Sequence, residues 1–496
     1  MLLALFGDRE YRIGRGEVAE SRVEVPAFLA FLFASSVIVL FFYLITYNPS
    51  YTIVAGVSLF VFCCTLVKVE VGVALLVIAM VLSPEIDAGP VGMGRRNLSL
   101  RFDDVLIVLV FLGVLARQAW EGKPLLWRPS PINAAIVLYY GVAILSTLRA
   151  WQLSLGYWDK QVAFLVVVKM AEFYMVFFLV GNAIRNLDQV RWQLLVFLAA
   201  SLCVSFYGIW LTGSTARISA PFETGGSEPN TLGGYLVIVM MVSGALFTQA
   251  PDLKRKVLAA CVFALTLWPF LYTLSRASYL ALIVGLIALG FKSRWFSIIV
   301  MTVLILLCSS VLMPEEVKDR VNYTFQRGSG KEITIGGKET GLQVDKSTYE
   351  RIYVWQKVRH NLRVWPWLGG GVAWGNVLDS QYARVIIETG LLGLAAFLFM
   401  QWRILRTTSQ AFRWTEDWVG RAVGLAGCAA TIAMIVHSLG TITFLVVRIM
   451  EPYWFLIALG VVARSTAIEE YLRKREETEA ENETPTKESL PAQGAA

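Results

Sequence analysis

The chain has 496 residues, of which 56% are hydrophobic and 16% are charged, and its mean hydropathy is +0.59. Soluble globular domains carry about 25% charged residues, so this composition excludes an ordinary soluble domain. The formal net charge of +7 is better explained by basic loops facing anionic lipid or substrate than by nucleic-acid binding. We therefore expect membrane lipid, and no nucleic acid, among the partners.

Apolar residues fall into runs of about 20, the length that a helix needs to cross the hydrocarbon core of a bilayer. Runs such as AFLFASSVIVLFFYLITY lack the alternation of a transmembrane β-strand, so we expect helices. The sequence predicts an all-α, polytopic integral membrane protein of about 12–14 transmembrane helices. The candidate spans lie near 26–46, 51–67, 71–83 (short enough to be half of a hairpin), 103–119, 132–149, 161–182, 190–212, 231–249, 257–273, 278–291, 295–313, 383–402, 419–440 and 448–463.

Lysine and arginine concentrate in alternate loops, which the positive-inside rule assigns to the cytoplasm. This orientation predicts a cytoplasmic N-terminal segment 1–25, a membrane domain 26–463 and a charged, disordered cytoplasmic tail 464–496. The membrane domain includes one large extracytoplasmic loop, 314–382. The outer loop 84–102 breaks the rule because it holds Arg95, Arg96 and Arg101. Either these arginines bind an anionic substrate, or one loop simply escapes the rule.

Histidine and cysteine give no sign of a metal site. The six cysteines lie inside apolar runs without ligand spacing, and the two histidines, His360 and His437, have no nearby second ligand. We therefore expect no bound metal and no cofactor. His437 is interpreted as a packed or pore-lining polar residue, and His360 as a solvated surface residue.

Four features face outward by the charge argument, which predicts a site on that face. They are Arg217 in RISAPFETGGSEPNTLGGY, Arg276 in LYTLSRASYL, the loop stretch YERIYVWQKVRHNLRVWPWLGGGVAWGN, and DSQYARVIIETGLLGL, where the chain re-enters the membrane. A guanidinium presents a fork of donors that suits phosphate, so two such groups at one site suit a diphosphate. The alternative is that each arginine extends towards lipid headgroups.

These motifs, in this order over roughly 100–463, resemble the O-antigen ligase and O-antigen polymerase superfamily of bacterial envelope glycosyltransferases. The similarity rests on Arg217 followed by PN-x-LGGY ending at Tyr235, SRASYLAL at Ser275–Arg276, Arg351-x-x-x-Trp355, Pro366-x-x-Gly369-x-Gly371, Asp379–Ser380, and Glu388-x-Gly390 through Gly393.

The resemblance implies a metal-independent enzyme of GT-C-like architecture in the bacterial inner membrane, with its active site facing the periplasm. Such an enzyme moves a glycan from an undecaprenyl-diphosphate carrier to an acceptor hydroxyl. The leading expectation is a polymerase of carrier-linked repeats for O-antigen of lipopolysaccharide or for exopolysaccharide. The alternative is a ligase that transfers the finished glycan to lipid A-core or to a protein. Chain-length regulators or export proteins are expected partners.

The same resemblance suggests roles for individual residues. Arg217 and Arg276 would bind the carrier diphosphate and offset charge on the leaving group. Asp379, where ligases typically have His-Asn, would be the general base; its alternative role is capping the next helix. The expected substrate-binding residues are Arg351, Asn230, Trp355, Tyr382 and Glu388. For the tryptophans, the competing interpretation is an aromatic belt at the membrane interface.

Two rival classes remain open. A transporter or flippase fits the many spans, although charged residues at mid-depth are few. Lys169 and Glu172, spaced to pair on one helix face, are the exception. A non-catalytic scaffold of a polysaccharide export complex is the other rival.

Overall fold

A computed structural model describes residues 49–83, 85–86, 100–122, 128–153, 158–212, 217–219, 221, 228–307, 331–335, 338–344, 346–376 and 380–483. Several predicted features lie outside the described residues. They are the segment 1–25, the first span 26–46, Arg95 and Arg96, Asp379, and the end of the tail at 484–496.

Within these ranges the chain forms fourteen α-helices and two antiparallel pairs of short strands. The helices are α1 Pro49–Val67, α2 Val69–Leu82, α3 Phe102–Trp120, α4 Asn133–Gln152, α5 Lys160–Ala183, α6 Leu187–Leu211, α7 Pro229–Gln249, α8 Leu253–Tyr272, α9 Arg276–Ser293, α10 Phe296–Leu307, α11 Lys346–Val364, α12 Gln381–Trp414, α13 Trp418–His437 and α14 Val447–Glu483. The strands are β1 Glu85–Ile86, paired with β2 Leu100–Arg101, and β3 Lys331–Ile335, paired with β4 Lys338–Val344.

The helices confirm the predicted all-α, multi-pass membrane architecture. Eight of those described are long and apolar enough to cross a bilayer, namely α4 to α9, α12 and α13. A helix coincides with each predicted span from 51–67 to 448–463. The short predicted span 71–83 is the separate helix α2 of 14 residues, joined to α1 through Lys68 alone.

The chain divides into two compact units. One comprises Met1–Phe60 with Leu115–Leu125, and the other comprises Val61–Val114 with Leu126–Ala496. In the first unit Arg117 Nε donates to Glu121 Oε1 at 2.8 Å. The second unit contains the described hydrophobic core and every described residue of the candidate site.

Helix α7 is the most buried of these membrane helices, with 83% of its most apolar stretch inside the protein. It packs against α8, α9, α13 and α14. A Cβ on Gly233 would overlap Ser278 Oγ of α9, and one on Gly234 would lie 2.6 Å from Ile449 Cδ1 of α14. Small residues allow this close approach of membrane helices. The Gly-Gly pair of the PN-x-LGGY motif therefore serves helix packing.

Helix α14 runs for 37 residues to Glu483, so the segment 464–483 is helical and its predicted disorder is wrong. The helix is already formed in the membrane domain, so extending it requires no new nucleation. The extension consists largely of good helix formers and is supported by ion pairs one turn apart. These pairs are Arg473–Glu477, Lys474–Glu470 and Arg475–Glu479.

Candidate functional site

Arg217 contacts the turn between α8 and α9. Its Nε donates to Thr273 O and its Nη2 to Leu274 O, each at 3.3 Å. The N–H of the next residue donates to Tyr272 O at 3.2 Å. Carbonyls at the end of a helix lack intrahelical donors, so these bonds satisfy the end of α8. Arg217 thus lies against the turn that leads, two residues later, into Arg276.

A chain of hydrogen bonds runs inward from the start of α9. Ser275, its N-cap, donates to Asn230 Oδ1 at 2.7 Å, and Ser278 donates to Ser275 Oγ at 2.7 Å. Buried His437 lies 3.0 Å from Ser278 Oγ through Nε2 and 2.8 Å from Thr443 Oγ1 through Nδ1. Because Ser278 already donates its hydrogen, this network assigns the proton of His437 to Nε2. His437 is thus packed and fully bonded, as interpreted from the sequence.

Replacing His437 with alanine should lower the apparent melting temperature of the purified protein by several degrees. The change removes a partner from two buried hydroxyls, a cost of about 1–3 kcal/mol for each group left unsatisfied. His360→Ala is the matched control, because the ring of His360 is exposed on α11. Equal melting temperatures for the two variants would show that the network adds no stability.

The start of α12 is bonded to the end of α13. The N–H of Gln381 donates to Ser438 O at 3.0 Å, and its side-chain carbonyl accepts from the N–H of Phe444 at 3.2 Å. Ser380 is the N-cap, and its Oγ accepts from the N–H of Ala383. Ser380 therefore caps α12, while the preceding residue, Asp379, lies outside the described residues.

These contacts bring the starts of α7, α9 and α12 to one end of the helix bundle, which we call the site end. Asn230 and Ser275 join α7 to α9, while His437 and the adjacent Ser438 link α9 to α12. Helix N-termini carry partial positive charge and unpaired N–H groups, and both favour anions. Together with Arg217 they add positive charge at this end, where Glu228, the N-cap residue of α7, adds one carboxylate.

A cleft beside the start of α7 adds a third arginine. Pro221, Thr231 and Tyr235 line it together with Arg448 of α14, which is only 7% exposed. Sequence reasoning missed Arg448. The only available signal was an arginine three residues before Glu451 in the last apolar run.

Helix α12 is broken at Gly390, whose φ is 67° and ψ is −163°. The loop after α11 docks at this break. Gly370 and Gly371 donate backbone hydrogen bonds of 2.8 and 2.9 Å to carbonyls just before it, and the N–H of Leu391 donates to Pro366 O at 2.8 Å. The Pro-x-x-Gly-x-Gly and Glu-x-Gly motifs therefore meet in the structure, where they hold the loop on the broken helix.

Glu388 secures the same junction. It is 5% exposed, and its Oε1 accepts from Arg384 Nε at 2.7 Å and from the N–H of Ala373 at 2.9 Å. Its backbone carbonyl accepts from Ser146 Oγ at 2.6 Å. The structure thus gives Glu388 a structural role, and its contact with substrate stays a prediction.

The remaining predicted binding residues differ in their surroundings. Trp355 on α11 is 48% exposed, whereas the Tyr382 hydroxyl donates to Ile435 O at 2.8 Å. Trp365 packs edge-on against Trp374. The side chain of Arg351 lies outside the described residues. Contacts with Arg217 are not seen for Trp355 or Tyr382 among the described side chains.

A second group of charged residues, the ionic cluster, joins the start of α3 to α5 and α14. Its members are Arg101, Asp103, Asp104, Lys169, Glu172, Arg448 and Glu451. Lys169 Nζ lies 2.9 Å from Glu172 Oε2 and also contacts Asp104, which confirms the pair predicted from its i,i+3 spacing.

Arg101 is the centre of this cluster and is only 3% exposed. Its Nη2 lies 2.8 Å from Asp103 Oδ2 and donates to Met80 O at 3.0 Å. Burial alone would lower the pKa of Arg101, but the carboxylates of Asp103 and Glu451 raise that pKa above its ordinary value. Of the arginines in the predicted loop 84–102, this one is therefore ion-paired inside the protein.

No protein-family model matches the chain, and no curated protein matches it.

Proposed function

We propose that the protein is a glycosyltransferase that polymerises polyprenyl-diphosphate-linked oligosaccharide repeats at the outer face of the bacterial inner membrane. One observation carries the proposal. Arg217 lies against the turn that leads into Arg276, at an end of a membrane bundle where α7, α9 and α12 also begin. This convergence of cationic groups suits the diphosphate of a lipid carrier whose chain stays in the bilayer.

The chemistry follows from this electropositive end. Guanidinium forks and helix N-termini stabilise negative charge that grows on the diphosphate as the glycosidic bond to it breaks. Such preorganised groups act without reorganising during the reaction, and removing one typically costs about 100-fold to 1000-fold in rate. Arg448, which is buried beside the adjacent cleft, adds positive charge near this end. The attacking hydroxyl of the acceptor glycan then needs a base.

We assign that base to Asp379. It directly precedes Ser380, whose neighbour Gln381 is bonded to Ser438 at the site end. Asp379→Asn should lower the turnover number for glycan transfer by about 100-fold or more, with little change in carrier binding, because a general base acts on the transition state. The measurement is transfer from a carrier-linked repeat by purified protein.

The matched control is Asp159→Asn. Asp159 caps α5 by accepting from the N–H groups of Gln161 and Val162, and asparagine also caps helices well. This control should keep near-normal turnover. A turnover number for Asp379→Asn equal to that of the control would remove Asp379 from the mechanism.

Polymerase and ligase differ in the acceptor that they require. Purified protein given a carrier-linked repeat alone should produce longer carrier-linked chains if it is a polymerase. Transfer that begins only after lipid A-core or a protein acceptor is added would instead identify a ligase. Chain-length regulators or export proteins would then be tested as partners of the active form.

A second candidate, a polysaccharide transporter, is favoured by the ionic cluster. Buried ionisable residues in membrane proteins often mark ion pathways or coupling sites. Seven charged side chains gather there, whereas the sequence had drawn attention only to Lys169 and Glu172. Movement of carrier-linked glycan across vesicles without any change in glycan length would favour this function over transfer.

A further inference from the structure

Glu451 is a buried carboxylate without a hydrogen-bond donor. Its side chain is 0% exposed, and neither Oε1 nor Oε2 has a hydrogen-bond partner among the residues that the structure describes. The nearest described cation, Arg101, places Nη1 4.0 Å from Oε2, which is too long for a hydrogen bond. Carboxylate oxygens of Asp103, Asp104 and Glu451 all lie within 4.8 Å of one another. An ionised Glu451, which can only accept hydrogen bonds, would thus lie beside carboxylates that also can only accept.

The charges of the ionic cluster do not balance. Within the described part of the chain, it holds three cationic and four anionic side chains, a net charge of −1. Arg101 pairs with Asp103, and Lys169 is shared by Asp104 and Glu172. Glu451 therefore carries the surplus negative charge, and a buried carboxylate of this kind neutralises by binding a proton.

A single positive charge fits better than a metal dication. One added charge brings the cluster to neutrality, whereas two would leave it positive in a buried site. The guanidinium Nη2 of Arg101 already lies 2.8 Å from Asp103 Oδ2, and Lys169 already contacts Asp104. A dication bound by these carboxylates would lie against two existing cations and be repelled by both.

We propose that Glu451 is a proton-binding site, neutral at ordinary pH, whose carboxyl O–H donates a hydrogen bond to Asp103. Asp103 is held for this role by Ser83, which donates to its Oδ1 at 2.7 Å, and by Arg101. The described charged groups around the proton are Arg101 in β2, Asp103 and Asp104 at the start of α3, Lys169 and Glu172 on α5, and Arg448 on α14.

This proton also bears on the candidate site. Arg448 lies one helical turn before Glu451 on α14 and lines the cleft beside the start of α7. Losing the proton would leave a negative charge one turn from Arg448 and weaken the attraction of the cleft for an anion. Only this consequence rests on the proposed function. The protonation of Glu451 is tested without any glycan substrate.

The test is infrared spectroscopy of the full-length purified protein at neutral pH. The carbonyl stretch of a protonated carboxyl has a higher frequency than the amide bands, and its frequency shifts in D₂O. We expect this band in the wild-type protein and its loss in Glu451→Gln. Glu388→Gln is the matched control, because Glu388 is similarly buried but its Oε1 accepts from the guanidinium Nε of Arg384 at 2.7 Å.

Each alternative outcome overturns the proposal. If the wild-type protein lacks the band at neutral pH, the proposal is wrong. This measurement needs no variant, so it remains decisive even if the Glu451→Gln protein fails to fold. A band that persists in folded Glu451→Gln assigns the proton elsewhere. A band that Na⁺ abolishes identifies a metal cation as the occupant. As a second variant, Asp103→Asn should shift the band, because it changes the acceptor of the proposed hydrogen bond.

Discussion

Arg217→Ala and Arg276→Ala should each lower glycan transfer by about 100-fold or more, close to complete loss, while the protein still inserts into membranes. Each change removes a charge-assisted contact with the carrier diphosphate, where charge develops as the bond to the sugar breaks. The measurement is the rate of chain extension from a carrier-linked repeat by purified protein. Arg217→Lys should recover part of the loss, because lysine keeps the charge but lacks the planar fork.

The control for both variants is Arg413→Ala. Arg413 is exposed in the last turn of α12, at the end of that helix opposite the site end. Arg217 also donates to Thr273 O and Leu274 O, so its variant must be shown to melt near the wild-type temperature. If both variants transfer glycan as fast as Arg413→Ala, these arginines do not bind the carrier diphosphate.

Gly390→Ala should be severely destabilising, by about 3 kcal/mol or more. At φ 67° and ψ −163° the residue occupies a region of backbone space that is essentially restricted to glycine. An added Cβ would also overlap the backbone carbonyl of Trp367, which belongs to the docked loop. We expect a low yield of folded protein, or a sharply lower melting temperature by fluorescence-detected thermal unfolding.

Gly141→Ala and Gly181→Ala are the controls for this prediction. Both glycines lie within membrane helices, α4 and α5, and a Cβ on either would meet no atom within 4 Å. Alanine should be tolerated at both positions. A Gly390→Ala protein that melts together with these controls would show that the loop does not depend on the break in α12.

Several predictions made from sequence patterns depend on local properties of the chain, and these agree with the structure. Helices such as α5 and α9 lie where apolar runs of membrane-spanning length predict them. The Lys169–Glu172 pair follows directly from helical spacing. The predicted disorder of the tail was wrong for 464–483. That prediction relied on the low hydrophobicity of the segment and did not consider that it continues a membrane helix.

Contacts in the candidate site between distant parts of the chain could not be predicted from sequence patterns. No sequence pattern indicated that the Glu388 carboxylate accepts from Arg384 and from the backbone of Ala373. Arg448 was not anticipated, because its position in the cleft depends on how α14 packs against α7. Residues far apart in sequence have no spacing rule that relates them.

The sequence by itself determined that this is a multi-pass helical membrane protein and which segments form its helices. Hydropathy and helical periodicity are properties of contiguous residues, so a linear chain displays them. Only the tertiary structure decided that Arg217 lies against the turn before Arg276, that the loop docks at Gly390, and that Glu451 is buried without a donor. Each of these depends on contacts between distant segments, which form only when the helices pack.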